Sequence, residues 1–326
     1  KKLKEIYMKL VIQIPCLNEE KSLPITINDL PKEIKGIDEI EILVIDDGST
    51  DRTEAVAREL GVKEIIKFSH NRGLAAAFVA GVSKALEMGA DIIVNTDADN
   101  QYCGADIEKL VRPILDNEAD IVIGTRPVAK IAHFSFLKKF LQKLGSCVMR
   151  LVSSTDVEDA PSGFRAFSRS AALQINVFDN YTYTLETIIQ SKAKGLLLKS
   201  VPVDVNPELR ESRLFKNMFI YITRSIFTML RMFIIYRPFR FFAIIGLFFL
   251  GTGTILGLRF LYYYLTGSGT GHIQSLILAA ILLITGVQVG LIAVLSELLS
   301  INRKLLEDIQ KRVKLEGLKN INEVIK

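Results

Sequence analysis

The chain has 326 residues, 49% of them apolar, with a formal charge of +5 and a mean hydropathy of +0.28. Three scattered cysteines (Cys16, Cys103, Cys147) without a CxxC pair, and three scattered histidines (His70, His133, His272), exclude a disulfide framework and a zinc knuckle. The basic excess is mild and gives no reason to expect a nucleic-acid partner.

The N-terminus lacks the long apolar core of a signal peptide, and LVIQIP (10–15) reads as a first strand. EILVID (41–46), EIIKF (64–68), DIIVNTD (91–97) and ADIVIGT (119–125) follow. Each is short and nearly continuous in apolar character, the pattern of strands covered on both faces. Between them, DRTEAVAREL opens on a capping-box-like Asp51-x-x-Glu54 and stops at Gly61. GLAAAFVAGVSKALEMG is an Ala-rich helix ending at Gly89, and GADIEKLVRPILDN carries apolar residues at helical spacing. This rhythm predicts a mostly parallel sheet covered by helices, with ligands at the carboxyl ends of its strands. Beyond residue 126, SFLKKFLQKLGSCVMRL (135–151) reads as a helix with lysines on one side. SGFRAFS (162–168) reads as a short strand or turn, YTLETIIQSKAKG (183–195) as a helix and LLLKSVPVDVNP (196–207) as a strand.

Segment 213–240 contains no acidic residue, but Arg213, Lys216, Arg224, Arg231, Arg237 and Arg240 lie among its apolar side chains. That is the composition of an amphipathic helix on an anionic membrane surface. Segment 239–258, charged only at Arg240, and the uncharged segment 275–295 are each long enough to cross a bilayer. The loop between them has no Lys or Arg after Arg259, whereas both flanks are basic. The positive-inside rule then places the catalytic domain and the C-terminus in the cytosol. Gly253-x-x-x-Gly257 and Gly286-x-x-x-Gly290 would permit close helix packing. The expected organisation is a catalytic domain (1–212), interface helices (213–238), a two-helix transmembrane hairpin (239–299) and a basic helical tail (300–326).

Asp97-Ala98-Asp99 brings two carboxylates to the end of the fourth strand, and alternate strand positions face the same way. Such hard oxygen donors suit Mg²⁺ or Mn²⁺ bridging to a substrate phosphate, with the Gln101 amide oxygen close by. Pro15, Leu17, Asn18 and Glu19 follow the first strand, Asp46 and Asp47 the second, and Asn71 opens the Ala-rich helix. Asn18 and Glu19 can bond a heterocycle or cap a helix. Asp51 is expected to cap, which leaves Asp46 and Asp47 to accept from a base or ribose.

In this order and spacing, P-x-x-N-E (15–19), V-I-D-D-G-S-T-D (44–51), N-x-G-L-x-x-A (71–77) and D-A-D-x-Q (97–101) resemble the family 2 glycosyltransferases over about residues 8–215. The resemblance implies an α/β GT-A fold, a nucleotide-binding αβα sandwich, with inversion of the anomeric centre. G-T-R (124–126), D-A-P-S-G-F (159–164) and R-E-S-R-L (210–214) resemble the polyprenyl-phosphate branch, which includes dolichyl-phosphate mannose synthases and undecaprenyl-phosphate glucosyltransferases. That branch implies a UDP- or GDP-linked sugar donor, a polyprenyl phosphate acceptor and a membrane location; a homo-oligomer is left open. Carried over by residue, Asp99, Asp159 and Arg126 are catalytic. Pro15, Leu17, Asn18, Glu19, Asp46, Asp47, Asn71, Asp97, Ala98, Asp99, Arg210 and Arg213 bind the nucleotide sugar. Arg126, Lys139 and Lys143 hold the lipid phosphate, and Asp97, Asp99 and Gln101 hold the metal. Asp159 takes an orienting or weak-base role, because the acceptor phosphate is already largely ionised. Leu17 departs from the aromatic residue that often stacks on the base, and Arg213 from the Lys of an S-K-L motif.

A glycan or glycolipid acceptor is the alternative within the same chemistry. A processive polysaccharide synthase would carry a Q-x-x-R-W motif, and this chain has no tryptophan. A non-catalytic membrane scaffold would not need intact Asp97, Asp99, Gln101, Arg126 and Arg213. The glycine-rich stretches GTGTILG and GSGTG lie in or beside a span, which argues against a dinucleotide-dependent oxidoreductase.

Overall fold

The structure is a computed structural model that describes residues 7–126, 157, 159–177, 183–207, 223, 227, 230–231, 233–267 and 269–324. The chain divides into two compact units, Lys1–Met229 with Lys311–Lys326, and Leu230–Gln310. The helix expected at 135–151, and with it Lys139 and Lys143, lies outside the described residues, as do Arg210 and Arg213.

The first unit is built on seven strands: β1 (Lys9–Cys16), β2 (Glu39–Asp46), β3 (Glu64–Lys67), β4 (Ile92–Asn95), β5 (Ile121–Thr125), β6 (Arg165–Ser168) and β7 (Leu198–Pro202). Their order is β3-β2-β1-β4-β6-β5-β7. All pairings are parallel except those of β6, which runs antiparallel to β4 and β5. An antiparallel strand starts where its neighbours finish. Arg165, the first residue of β6, therefore pairs with Asn95, the last residue of β4. The segment entering β6 is delivered to the carboxyl ends of the parallel strands.

Among the described residues, six helices accompany the sheet: α1 (Leu23–Asp29), α2 (Thr53–Glu59), α3 (Leu74–Glu87), α4 (Ile107–Leu115), α5 (Arg169–Gln174) and α6 (Thr184–Ala193). Alternation along the strands separates two cores. Leu10, Ile12 and Ile14 join Val44 and Val94 against Leu23, Ala57 and Leu110 of α1, α2 and α4. On the other face, Phe78 of α3 stacks on Tyr183 at 3.9 Å and meets Phe167 at 5.6 Å. Full burial of each such aliphatic side chain contributes roughly 1.5–3 kcal/mol.

Several local expectations change. α1 and α5 are seven and six residues long, too short to show a helical period in sequence. α2 begins at Thr53 behind an N-cap at Arg52 that makes no side-chain cap bond; Asp51, one position earlier, is not the expected cap but braces the entry by accepting from the Thr53 amide at 2.9 Å. Glu54 closes no capping box; it accepts instead from Arg58 (2.9 Å) and Lys67 (2.6 Å). β4 ends at Asn95, so Asp97 and Asp99 lie in the turn beyond it and not at alternate strand positions.

The second unit contains α7 (Pro238–Leu265) and most of α8 (Ile273–Val324), both long and apolar enough to cross a membrane. The tail expected as a separate element continues α8 without a break. The hydroxyls of Thr252 and Thr254 donate to the carbonyls of Phe248 and Leu250, which satisfies them inside their own helix. The two helices meet where backbone approaches backbone. A Cβ on Gly253 would lie 3.1 Å from the Leu283 nitrogen, and one on Gly286 would lie 2.7 Å from Leu250 Cγ. Gly246 faces the Gly286 carbonyl in the same way, at 3.3 Å. A Cβ on Gly290 would meet nothing within 4 Å, and one on Gly257 only Ala279 Cβ at 4.0 Å. The contact thus uses a seven-residue spacing on α7 against Gly286, and not the two four-residue motifs. Gly286→Ala should destabilise the detergent-solubilised chain by ~1–3 kcal/mol, while Gly290→Ala leaves it unchanged. Equal melting of both variants in a thermal unfolding series would contradict this packing.

Candidate active site

The strand order reverses between β1 and β4, and at such a switch point an open α/β sheet leaves a crevice at its carboxyl edge. Four segments line that edge: the loops after β1, β2 and β4, and the segment leading into β6.

The first two loops are laced together. The Asn18 amide donates to Ser49 Oγ at 2.9 Å, and Asn18 Oδ1 accepts from the Thr50 amide at 2.8 Å. The Glu19 amide donates to Thr53 Oγ1 at 2.8 Å, and the Glu19 carboxylate accepts from Ser22. Asp47 accepts from the Arg72 and Gly73 amides at 2.7 and 2.9 Å, fixing the entry to α3. This brace presses Gly48 (φ +74°) onto residues 70–71, where a Cβ would lie 2.5 Å from the His70 carbonyl carbon. Asn18, Glu19 and Asp47 therefore spend hydrogen bonds on shaping the crevice. Asp46 is different. It is buried, its Oδ1 accepts from the Ser49 amide at 2.8 Å, and its Oδ2 has no partner among the described residues. Pro15 is buried beneath the loop, Leu17 is half-buried and Asn71 is exposed on the rim.

Asp97 and Asp99 are half-buried around the buried Ala98, whose carbonyl accepts from Thr26 Oγ1 at 3.0 Å. Asp99 Oδ1 accepts from the Gln101 amide at 3.2 Å, and the Gln101 carbonyl accepts from the Asn206 amide at 2.9 Å. The Asp97 carboxylate sits against Gly163, where a Cβ would lie 3.1 and 3.2 Å from its two oxygens and 3.1 Å from the Tyr183 hydroxyl. Burial, reinforced by Glu19, Asp46, Asp51 and Asp97, pushes the Cys16 thiol well above its ordinary pKa. A thiol held that high stays protonated at neutral pH. Among the described residues no three His, Cys, Asp or Glu side chains are grouped to cage a metal. Two carboxylates and one amide fit a hard divalent cation that takes its remaining ligands from a substrate phosphate.

Opposite charge enters at Arg126, directly after β5, and is anchored by the segment before β6. Asp159 is fully buried, and Arg126 grips it through Nε at 2.7 Å and Nη2 at 3.1 Å. The Arg126 side chain keeps 16% of its surface exposed and lies 5.9 Å over the Tyr102 ring. Burial opposes its charge, but Tyr102 and Asp159 outweigh that and hold the guanidinium above its ordinary pKa. The two residues expected to act separately are partners.

Sequence reasoning missed the network beneath this segment. Gln13, Asn95 and Arg165 are register neighbours across β1, β4 and β6, and all are fully buried. Gln13 Nε2 donates to Asn95 Oδ1 at 2.9 Å. Asn95 Nδ2 donates to the Gly163 carbonyl (2.9 Å) and the Tyr183 hydroxyl (2.8 Å), and Tyr183 donates in turn to Gly163 (3.1 Å). Arg165 donates to the carbonyls of Ser162 (2.8 Å), Ala160 (2.7 Å) and Thr184 (2.7 Å) and to Thr187 Oγ1 (2.6 Å). Burial pulls its guanidinium down to about 10, still charged at neutral pH. The signal was present in the sequence as single polar residues inside otherwise apolar strands.

The family model described as Glycosyl transferase family 2 matches residues 11–175. The chain belongs to that family. It is 32% identical to a UDP-N-acetylglucosamine–dolichyl-phosphate N-acetylglucosaminyltransferase of Methanococcus voltae, over 58% of this chain and 82% of that protein. It is 28% identical to an undecaprenyl-phosphate mannosyltransferase of Micrococcus luteus, over 64% of this chain and 88% of that one. In fold it is similar to glucosyl-3-phosphoglycerate synthase of Mycobacterium tuberculosis, solved with Mn²⁺, UDP and phosphoglyceric acid. That likeness has a TM-score of 0.55 at 19% identity and covers 69% of this chain and 78% of the other. The seven-stranded sheet of this family 2 enzyme is thus of the GT-A kind. Because Gly163 leaves no room beside Asp97, Gly163→Ala should slow sugar transfer about tenfold or more with little change in melting temperature. Unaltered turnover in the purified variant would show that the Asp97 position is not critical.

Proposed function

We propose that this enzyme transfers a monosaccharide from a UDP- or GDP-linked donor to a polyprenyl phosphate at the cytosolic membrane face, with inversion at the anomeric carbon. The observation that carries the reading is the meeting at one sheet edge of an acidic pair, Asp97 and Asp99, with a half-buried guanidinium, Arg126, anchored on a buried carboxylate. Two anions must be brought together, and each needs its own cation. The lipid acceptor is supported by the two relatives, whose names specify dolichyl and undecaprenyl phosphates, and by two span-length apolar helices in the same chain.

In this reading Asp97, Asp99 and the Gln101 amide hold Mg²⁺ or Mn²⁺. When bound, that ion neutralises the leaving diphosphate. The unpaired Asp46 Oδ2 accepts from the nucleotide base, which would recover the ~1–3 kcal/mol that a buried unsatisfied acceptor costs. Arg126 spends two of its donors on Asp159 and has others left for the acceptor phosphate. That phosphate arrives already ionised and needs little proton removal. Asp159 then acts by keeping Arg126 in place, not as a base. Arg210 and Arg213 are assigned to the donor diphosphate and Lys139 and Lys143 to the lipid phosphate. Arg231 and Arg237 before α7, Arg240 in its first turn, and Arg303, Lys304, Lys311 and Arg312 on α8 support the cytosolic orientation.

The test incubates the purified full chain with Mn²⁺, short polyprenyl phosphates and a panel of UDP- and GDP-sugars, and identifies products by mass spectrometry. A lipid-phosphate monosaccharide is expected, lost on chelation and lost in Asp99→Asn with folding and insertion intact. A growing glycan would overturn the acceptor, and full metal-dependent transfer by Asp99→Asn would overturn the metal assignment. Asp159→Asn separates its two roles. An anchoring residue predicts a KM for polyprenyl phosphate raised about tenfold, with a smaller loss of kcat. Collapse of kcat at unchanged KM would make Asp159 the base.

A further inference from the structure

Beyond Ser296, α8 carries Glu297, Arg303, Lys304, Glu307 and Asp308, the composition of an aqueous segment. Its last part, Lys311–Lys326, is grouped with the sheet domain in the first unit. Burial along that part is periodic. Lys311, Lys314, Leu315 and Leu318 are half-buried, whereas Arg312, Val313, Glu316 and Gly317 between them are exposed. Steps of three, one and three mark a single helix face lying against protein. A tail surrounded by water would be exposed all round.

The face meets the turn that leaves α5. Lys314 Nζ donates to Asn176 Oδ1 at 3.3 Å. Lys194, just past the end of α6, donates to the Gln174 carbonyl and repels the Lys314 ammonium from nearby. Two cations thus close on residues 174–176, one from α6 and one from α8. The same turn is tied to the middle of α6. The Asn176 amide donates to Gln190 Oε1 at 3.0 Å, and the Asn176 carbonyl accepts from Gln190 Nε2. Gln190 is fully buried.

The opposite end of α6 touches the catalytic loop. The Thr184 carbonyl and Thr187 Oγ1 accept from Arg165, and Tyr183, just before the helix, bonds the Gly163 carbonyl. α6 has ten residues, about 15 Å of stiff helix. The seating of the 174–176 turn on Gln190 is therefore transmitted to the residues that hold the loop bearing Asp159 and Gly163.

We propose that Lys314 is a positioning residue for sugar transfer: the covered face of the α8 tail clamps the 174–176 turn, and through α6 it keeps Asp159, and hence Arg126, in place. The effect falls on the acceptor side, because Arg126 is the cation assigned to the acceptor phosphate. The Asp46 end of the crevice has no bond to α6 among the described residues. The activity part of the inference rests on the proposed transfer to a polyprenyl phosphate; the clamp itself does not.

The test uses the full chain in lipid vesicles and two readouts, hydrogen exchange by mass spectrometry and steady-state transfer. Lys314→Met keeps the aliphatic stem and removes the donor, and Leu318→Asp breaks the covered face. Both should speed exchange in 174–176 and in 159–163, and raise the KM for polyprenyl phosphate about threefold or more, with the donor KM unchanged. Lys314→Arg should restore both readouts, and the exposed Glu316→Gln should change neither. Asn176→Ala added to Lys314→Met should cost nothing further, since both remove one bond. A smaller folded fraction alone would lower apparent kcat and leave KM unmoved. Faster exchange confined to the tail, or an unchanged acceptor KM beside faster exchange in 159–163, would overturn the positioning role. Exchange unchanged at 174–176 in Leu318→Asp would overturn the clamp. Failure of every variant and of the parent chain to use a polyprenyl phosphate would sink the transfer reading, while the exchange pattern still decides the clamp.

Discussion

The geometry of the catalytic edge depends on a guanidinium buried without a carboxylate. Arg165 keeps its charge in the core by donating to three carbonyls and one hydroxyl. Two of those carbonyls, from Ala160 and Ser162, belong to the segment that also bears Asp159 and Gly163. A buried charge of this kind persists only when its donors are met, so the loop has one conformation available to it. Asn95 fixes the same loop from the neighbouring strand through the Gly163 carbonyl. Loss of either partner would leave buried polar groups unpaired at ~1–3 kcal/mol each, which is a large fraction of a domain's stability.

From that anchored loop the opposing charges follow. Gly163 sets the wall against which Asp97 lies, and Asp159 sets the position of Arg126. One segment thus places a boundary of the acidic pocket and, four residues earlier, the anchor of the cationic one. The antiparallel insertion of β6 makes this economy available, because it brings a loop to an edge where parallel strands bring only their ends.

Much of this was legible in the sequence, and the failures have a common cause. The strands of the sheet announced themselves through short Ile- and Val-rich runs, and the ordered motifs pointed to the family. What the motifs did not reveal was which of their residues face a ligand. Asn18, Glu19 and Asp47 sit in ligand-binding motifs, yet their visible bonds brace loops. Arg126 and Asp159 are 33 positions apart, so their pairing is a tertiary fact that no local pattern encodes. The short helices α1 and α5 were missed because six or seven residues span fewer than two helical turns. The glycine spacing in the spans misled for a different reason. A glycine is needed only where its missing side chain would point into the other helix; a Cβ on Gly257 would just touch Ala279, and one on Gly290 would point into open space although its nitrogen lies close to Gly246.

The rule that polar groups away from water must be paired applies to both units. In the catalytic core it is met internally by Gln13 Nε2, Asn95, Tyr183 and Arg165. In the spans it is met internally by Thr252 and Thr254, through their own helix. A buried atom left unpaired costs stability in the isolated chain. Asp46 Oδ2 is one exception, an acceptor at the carboxyl end of β2 where a donor from outside would relieve it. It calls for a partner of complementary chemistry: an acceptor-only carboxylate requires a donor, as a nucleotide base provides.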